Sequence, residues 1–285
     1  MLPRRPALVG LIRVVHPFPS VLDSVAAATI ALTAGAPADV AFRLGLGMLC
    51  LQFAIGAAND YSDAASDSLT VRSKPIPDGL LSRETAARVA LAAAVLGLLA
   101  AATVGVGVVV VGVVGLADGL VYDLRLKGTL FVWMPFAAGV GILPVYAWLG
   151  ARGSVPGSFV GVVAVAIMAG AALALANAYG DLEEDRLSDT ATLATLLGPG
   201  GTLLADACLL AIVQVVALAT SWPTVREPFL LLAEGSGCCL GWLGLGLAVA
   251  GIRARALVWE VQAVGIVVLG VGWLAVLSSA GVVRG

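Results

Sequence analysis

Charge is scarce in this chain: 12% of its 285 residues are Asp, Glu, Lys or Arg, against 60% hydrophobic residues and a mean hydropathy of +1.03. Soluble domains carry about twice that share of charge, so a soluble globular fold is excluded. Cysteine is scarce too. Cys50 and Cys208 fall inside apolar runs and Cys238 and Cys239 are adjacent, so neither a disulfide framework nor a metal-binding spacing exists. Histidine occurs once, and lysine only as Lys74 and Lys127, a bias that hints at a GC-rich bacterial genome. Aromatic residues are 6%, which argues against an aromatic-lined reaction chamber. The formal net charge of −2 says little, because the charges sit between apolar runs; no nucleic-acid partner is expected.

What the sequence has is long apolar stretches. Windows of about 20 apolar residues predict nine membrane-spanning helices, near 20–36, 40–58, 84–101, 103–121, 130–150, 157–178, 202–221, 227–250 and 259–281. Ala34-Gly35-Ala36 after a basic start has the look of a signal-peptide cleavage site, but Asp23 within the run and eight further spans favour a retained helix. With the N-terminus in the cytoplasm, only Arg43, Arg152, Arg226 and Arg284 of the sixteen basic residues fall outside, which fits the positive-inside rule. The six tryptophans lie mostly near span ends, where interfacial residues are expected. A single membrane domain over 1–285 follows, in a bacterial plasma membrane.

The second span runs directly into Asn59-Asp60-Tyr61-Ser62-Asp63-Ala64-Ala65-Ser66-Asp67. At 100° per residue, Asp60, Asp63 and Asp67 fall within an arc of about 60°. One Asp costs about 2.5–3.5 kcal/mol at the centre of a spanning helix, so three on one face must line a wet cavity or bind a cation. Crowded carboxylates repel unless a hard divalent ion, foremost Mg²⁺, lies between them. The sixth span ends in Asn177-Ala178-Tyr179-Gly180-Asp181-Leu182-Glu183-Glu184-Asp185-Arg186, where Asn177, Asp181, Glu184 and Asp185 share an arc of about 100°. The same device therefore occurs twice, four spans apart. This suggests two related four-helix halves plus one extra helix, around a central cavity. Two facing carboxylate clusters could hold a diphosphate through metal ions, with Arg72, Lys74, Arg125 and Lys127 in neighbouring loops adding positive charge.

Asn59-Asp60-x-x-Asp63-x-x-x-Asp67, followed by Lys74-Pro75-Ile76-Pro77-Asp78-Gly79 and then Asp181-Leu182-Glu183-Glu184-Asp185, resembles the UbiA superfamily of intramembrane prenyltransferases. The Tyr122–Lys127 stretch resembles a family segment more weakly. The resemblance implies nine helices around a cavity open laterally to the bilayer, and two Mg²⁺ ions bridging an isoprenyl diphosphate. By that likeness Asp60, Asp63 and Asp67 bind one metal and Asp181 and Asp185 the other, while Asn59, Arg72, Lys74, Lys127 and Asn177 are the candidate diphosphate contacts. Lys74 stands where the family usually has Arg. Asp189 and Ala191 stand where many members carry Gly and a basic residue, so one diphosphate contact is absent or replaced by Arg72 or Arg186. Asp123 occupies a position that is often uncharged.

The chemistry expected is ionisation of an allylic diphosphate to a carbocation, shielded from water by apolar helices and trapped by a small acceptor, with an aromatic one expected. Tyr122 or Tyr179 could flank the cation, and Asp118 could take the released proton. Arg13 and Asp23 are candidate acceptor contacts; His16 reads as an interfacial residue. Asp206 and Glu234 are placed near the outer surface, away from the chemistry. The competing readings are a terpene cyclase on the same scaffold, which would need a closed aromatic cavity, and an ion-coupled carrier, which would place its acids at the bilayer midplane.

Overall fold

The computed structural model describes residues 4–67, 73–225, 227–251 and 255–283, and among these every regular element is helical. The order is α1 (Arg4–Val14), α2 (Pro17–Thr33), α3 (Ala38–Asp67), α4 (Arg83–Ala102), α5 (Val106–Val121), a π-helical segment (Tyr122–Leu126), α6 (Trp133–Arg152), α7 (Phe159–Leu187), α8 (Leu193–Ser221), α9 (Pro228–Val249) and α10 (Arg255–Ser279). Eight helices are long and apolar enough to cross a membrane, and the pair α1–α2 makes a ninth if counted as one span bent by 51°. Each of the nine expected spans coincides with one of α2–α10.

Local chemistry explains the boundaries. Pro17 and Pro228 open α2 and α9, where a missing N–H costs nothing. Ser82 caps α4 by accepting from the Thr85 amide at 3.2 Å, and Thr192 forms a reciprocal capping box with Thr195 at the start of α8. Gly198 (φ 69°) and Pro199 kink α8, which is why its first turns did not read as part of an apolar run. The acidic motifs are not loops. They are the last turns of α3 and α7, and the 30 residues of α3 make a rod of about 45 Å, longer than the hydrocarbon core of about 30 Å.

The acids thus lie at one end of the bundle, here called the motif end. Outward faces carry large apolar side chains such as Leu91, Val106, Val160 and Leu232, as helices in lipid should. Helices meet through small residues. A Cβ on Gly237 would lie 2.6 Å from the Leu269 nitrogen and 2.7 Å from the Gly265 oxygen, so α9 and α10 touch backbone to backbone. The interfacial assignment of tryptophan needs correction. Trp148 is 1% exposed and packs on Phe159, and Trp273 is buried and donates to Thr220 Oγ1 at 2.7 Å, whereas Trp222 stands out at 75%. Position near a span end did not distinguish a bilayer-facing indole from one filling a helix junction.

Candidate active site

A cavity of about 430 Å³ opens between α2, α3, α5, α6 and α7, with Trp259 of α10 on its wall. Asn59, Asp118, Tyr122, Lys74, Lys127, Asn177, Asp181 and Asp23 line it, so both acidic helix ends and the expected basic loops converge on one space. Arg72 lies outside the described residues, and of Asp67 only its place as the last residue of α3 is described.

The first motif is held tightly. Asp60 is 2% exposed, and its Oδ1 accepts from Lys74 Nζ at 3.0 Å and from His16 Nε2 at 3.1 Å. Its Oδ2 is sealed without a hydrogen bond. Lys127 bonds the Asp63 carboxylate. Asn59 donates its amide to Asp123 Oδ1 at 2.7 Å within the buried wall, while Asp123 Oδ2 has no partner. In the second motif the Thr192 hydroxyl donates to Asp185 Oδ2 at 3.2 Å, linking that acid to the cap of α8.

Each of these basic side chains is delivered by a recognisable local device. Lys74 begins the Pro-x-Pro-x-Gly loop, whose turns close through Asp78 N to Lys74 O, Gly79 N to Ile76 O and Leu80 N to Pro75 O, each 3.0 Å. Gly79 takes φ +68°, which side-chain-bearing residues seldom adopt. Leu81 and Ile76 seat the loop in a small core with Val14, Ala57 and Ala86. His16 itself has φ 48° at the break between α1 and α2, and this turn points its ring at Asp60. Lys127 follows the π-helical segment. On a continuous α-helix Asp118 and Lys127 would lie about 180° apart, whereas here both line the cavity.

Other expected residues are placed differently. Arg13 does not line the cavity; its guanidinium bonds the Ser73 carbonyl and Asp78 Oδ2, clasping the Pro-x-Pro-x-Gly loop to α1. The Ser73 hydroxyl and then Arg13 hold the Asp78 carboxyl below its ordinary pKa. Asp206 and Glu234 do not line the cavity and are buried between α8, α9 and α10, at 2% and 0% exposure. Asp189 takes φ 55°, the left-handed turn after α7 where glycine is the unstrained choice.

The sequence reading missed three residues. Gln52 lines the cavity and donates to Asp23 Oδ2 at 2.5 Å; its signal was a polar residue seven before Asn59, two turns back on the same helix face. His16 and Asp123 gain their roles from tertiary contacts that no local pattern announces. The expectation of few central aromatics is also corrected, since Tyr122, Phe136, Tyr146 and Trp259 all contribute to the wall.

Among the described residues no three His, Cys, Asp or Glu side chains are gathered closely enough to hold a metal. The donor chemistry nevertheless suits a hard cation. The site offers carboxylate oxygens, Asp60 Oδ2 is buried without a partner, and lysine ammonium groups sit against Asp60 and Asp63 as internal counter-ions.

Comparison with known proteins follows the same lines. No curated protein sequence matches significantly. Among solved structures, an apo UbiA homologue from Aeropyrum pernix K1 superposes with a TM-score of 0.75 at 18% identity, covering 89% of this chain and 96% of that one. A UbiA homologue from Archaeoglobus fulgidus bound to GPP and Mg²⁺ gives 0.69 at 14% identity, covering 94% and 99%. The same homologue bound to DMAPP and Mg²⁺ gives 0.67 at 16%, covering 93% and 98%. These likenesses establish the fold. The sequence profile of the UbiA prenyltransferase family matches residues 21–263, most of the chain, and the protein therefore belongs to that family.

Proposed function

We propose that this protein transfers an isoprenyl group from an allylic diphosphate to a small aromatic acceptor inside the membrane, with Mg²⁺ as cofactor. The observation that carries the reading is the convergence of Asn59, Lys74, Lys127, Asn177 and Asp181 on one cavity walled by apolar helices. Family membership and the relatives that bind DMAPP or GPP with Mg²⁺ support it. In this reading the motif end faces the cytoplasm of a bacterial plasma membrane.

Asp60, Asp63 and Asp67 with Asp181 and Asp185 would hold Mg²⁺, whose chemistry when bound is to neutralise charge on the leaving diphosphate. Lys74 and Lys127, released from full engagement with Asp60 and Asp63, donate to the diphosphate oxygens, as do the amides of Asn59 and Asn177. The C1–O bond breaks with its electron pair leaving on the diphosphate. Tyr122 turns a ring face toward the allylic cation, and the aliphatic walls keep water away. The acceptor's nucleophilic atom supplies the electron pair of the new bond to C1, and the proton it loses passes to Asp118. Asp118 lines the cavity and, among the described residues, has no hydrogen-bond partner. Positioning supplies the rest of the rate.

The four aromatic wall residues favour one second reading, in which the cation is closed on its own double bonds without an acceptor. The test is diphosphate release by purified protein in lipid nanodiscs given Mg²⁺ and DMAPP or GPP, with and without a panel of acceptors, with products identified by mass spectrometry. Acceptor-dependent release with a prenylated product is expected. A hydrocarbon product without acceptor would establish the second reading, and release that persists in EDTA, or no release at all, would overturn the proposal.

A further inference from the structure

We propose that the acceptor is an uncharged, hydroxyl-bearing molecule, and that the cavity floor rejects acceptors bearing a carboxylate or phosphate. This deepens the reading above and rests on it. Among the described residues, the basic side chains lining the cavity are His16, Lys74 and Lys127. All three lie at the motif end, and each already bonds Asp60 or Asp63.

About two helical turns deeper the character of the wall changes. The polar groups there are the carboxylates of Asp23 and Asp118 and the amide of Gln52. Gln52 spends an N–H on Asp23 Oδ2 at 2.5 Å, and Asp118 has no partner among the described residues. The floor is therefore rich in carboxyl oxygens and, among the described residues, has no basic side chain. Tyr146, whose sealed hydroxyl also lacks a partner, is on the same wall and adds no positive charge. An anion brought here would meet two carboxylates and no counter-ion in a medium of low dielectric constant. A neutral hydroxyl would instead donate to them.

Beyond Asp23 lies a hollow of about 120 Å³ between α2, α6, α7, α8 and α10, bounded by residues such as Ile30, Val165 and Leu274, with Asp23 as the acidic residue among those lining it. Asp23 stands at the neck between the two spaces, since it lines both. An amphipathic molecule would place its apolar body in the hollow and its hydroxyl at the neck.

Matched probes test the charge rule without turnover: 4-hydroxybenzoate against its amide and its methyl ester, titrated calorimetrically into the full-length protein in nanodiscs. The neutral members are expected to bind at least tenfold more tightly than the carboxylate. In Gln52→Arg the preference should reverse. Should that variant not fold, Asp23→Asn should narrow the difference by several fold. Equal or tighter binding of the carboxylate to the unaltered protein, or binding of no member, would overturn the inference. Donor ionisation, read as Mg²⁺-dependent diphosphate release from GPP, is measured separately, so loss of the proposed activity and loss of this charge preference are distinguishable.

Discussion

Carboxylates within the bundle fall into two sets whose surroundings differ. Those on the cavity side, Asp23, Asp60, Asp63, Asp118 and Asp181, face a space large enough for a ligand or are bonded to lysines at its mouth. Those in α8 and α9 are closed off: Asp206 accepts from Gln262 Nε2 at 2.7 Å, and Glu234 accepts from Ser221 Oγ at 2.7 Å. Gln214 makes a separate pair of the same kind by accepting from Trp242 Nε1 at 2.7 Å. An acid in a spanning helix is a functional candidate by default, yet half of that inference depends on what stands opposite. An amide or hydroxyl on the next helix, with no cavity beside it, turns the acid into a packing element. A cavity leaves it available to substrate.

The largest expected effect separates the two sets directly. Asp63→Ala and Asp181→Ala should each lower turnover by roughly a hundredfold or more, the order seen when one preorganised charge-stabilising group is lost. The unfolding temperature in detergent should change little, because a partly exposed ion pair such as Lys127–Asp63 contributes only about 0–1 kcal/mol; near-normal activity in both variants would remove the metal assignment. Asp206→Ala and Glu234→Ala should do the opposite. Losing a buried hydrogen-bonded partner costs about 1–3 kcal/mol, so thermal stability should fall while turnover per folded molecule is kept. A variant of this pair that is stable and inactive would move that acid into the chemistry.

The smallest effect concerns an acid that belongs to neither set. Asp78 lies on the surface of the Pro-x-Pro-x-Gly loop, and its carboxyl is held low by the Ser73 hydroxyl and by Arg13. A depressed folded-state pKa contributes stability above the unfolded value, about 3.9, and that contribution fades as pH falls through the folded value. Hydrogen-exchange protection across residues 73–81, taken relative to the intrinsic rate at each pH, should therefore be flat from pH 8 to about 5 and fall only in stronger acid. Asp78→Asn should remove the acid dependence, and a transition near neutrality would show that another group governs the loop.

The architecture was legible because it is written in long apolar runs, and the acids proposed to hold the metal were legible because helical spacing alone puts Asp60 and Asp63, or Asp181 and Asp185, on one face. Their partners were not. His16 reaches Asp60 across 44 residues of sequence and Asp123 reaches Asn59 across 64, and neither contact leaves a periodic trace. The π-helical segment is hidden for a related reason. Tyr122–Leu126 has the composition of an ordinary helix end, and the widened turn that carries Lys127 to the cavity is a tertiary outcome. Arg13 was misread because a basic residue ahead of the first span suits a substrate contact and a loop clasp equally well.

The length of α3 has a consequence for where in the membrane the reaction happens. Its apolar half presents Phe42 and Leu46 to lipid, and its last turns carry the acids on the same unbroken rod. The bilayer therefore grips the helix on which the proposed chemistry rests, and the height of that proposed reacting centre is registered against the acyl-chain boundary. Thicker hydrocarbon draws the acidic tip toward the lipid headgroups, and thinner hydrocarbon lets it stand clear. A diphosphate approaching from water and a hydrophobic chain supplied from lipid then meet at a level that membrane composition helps to set.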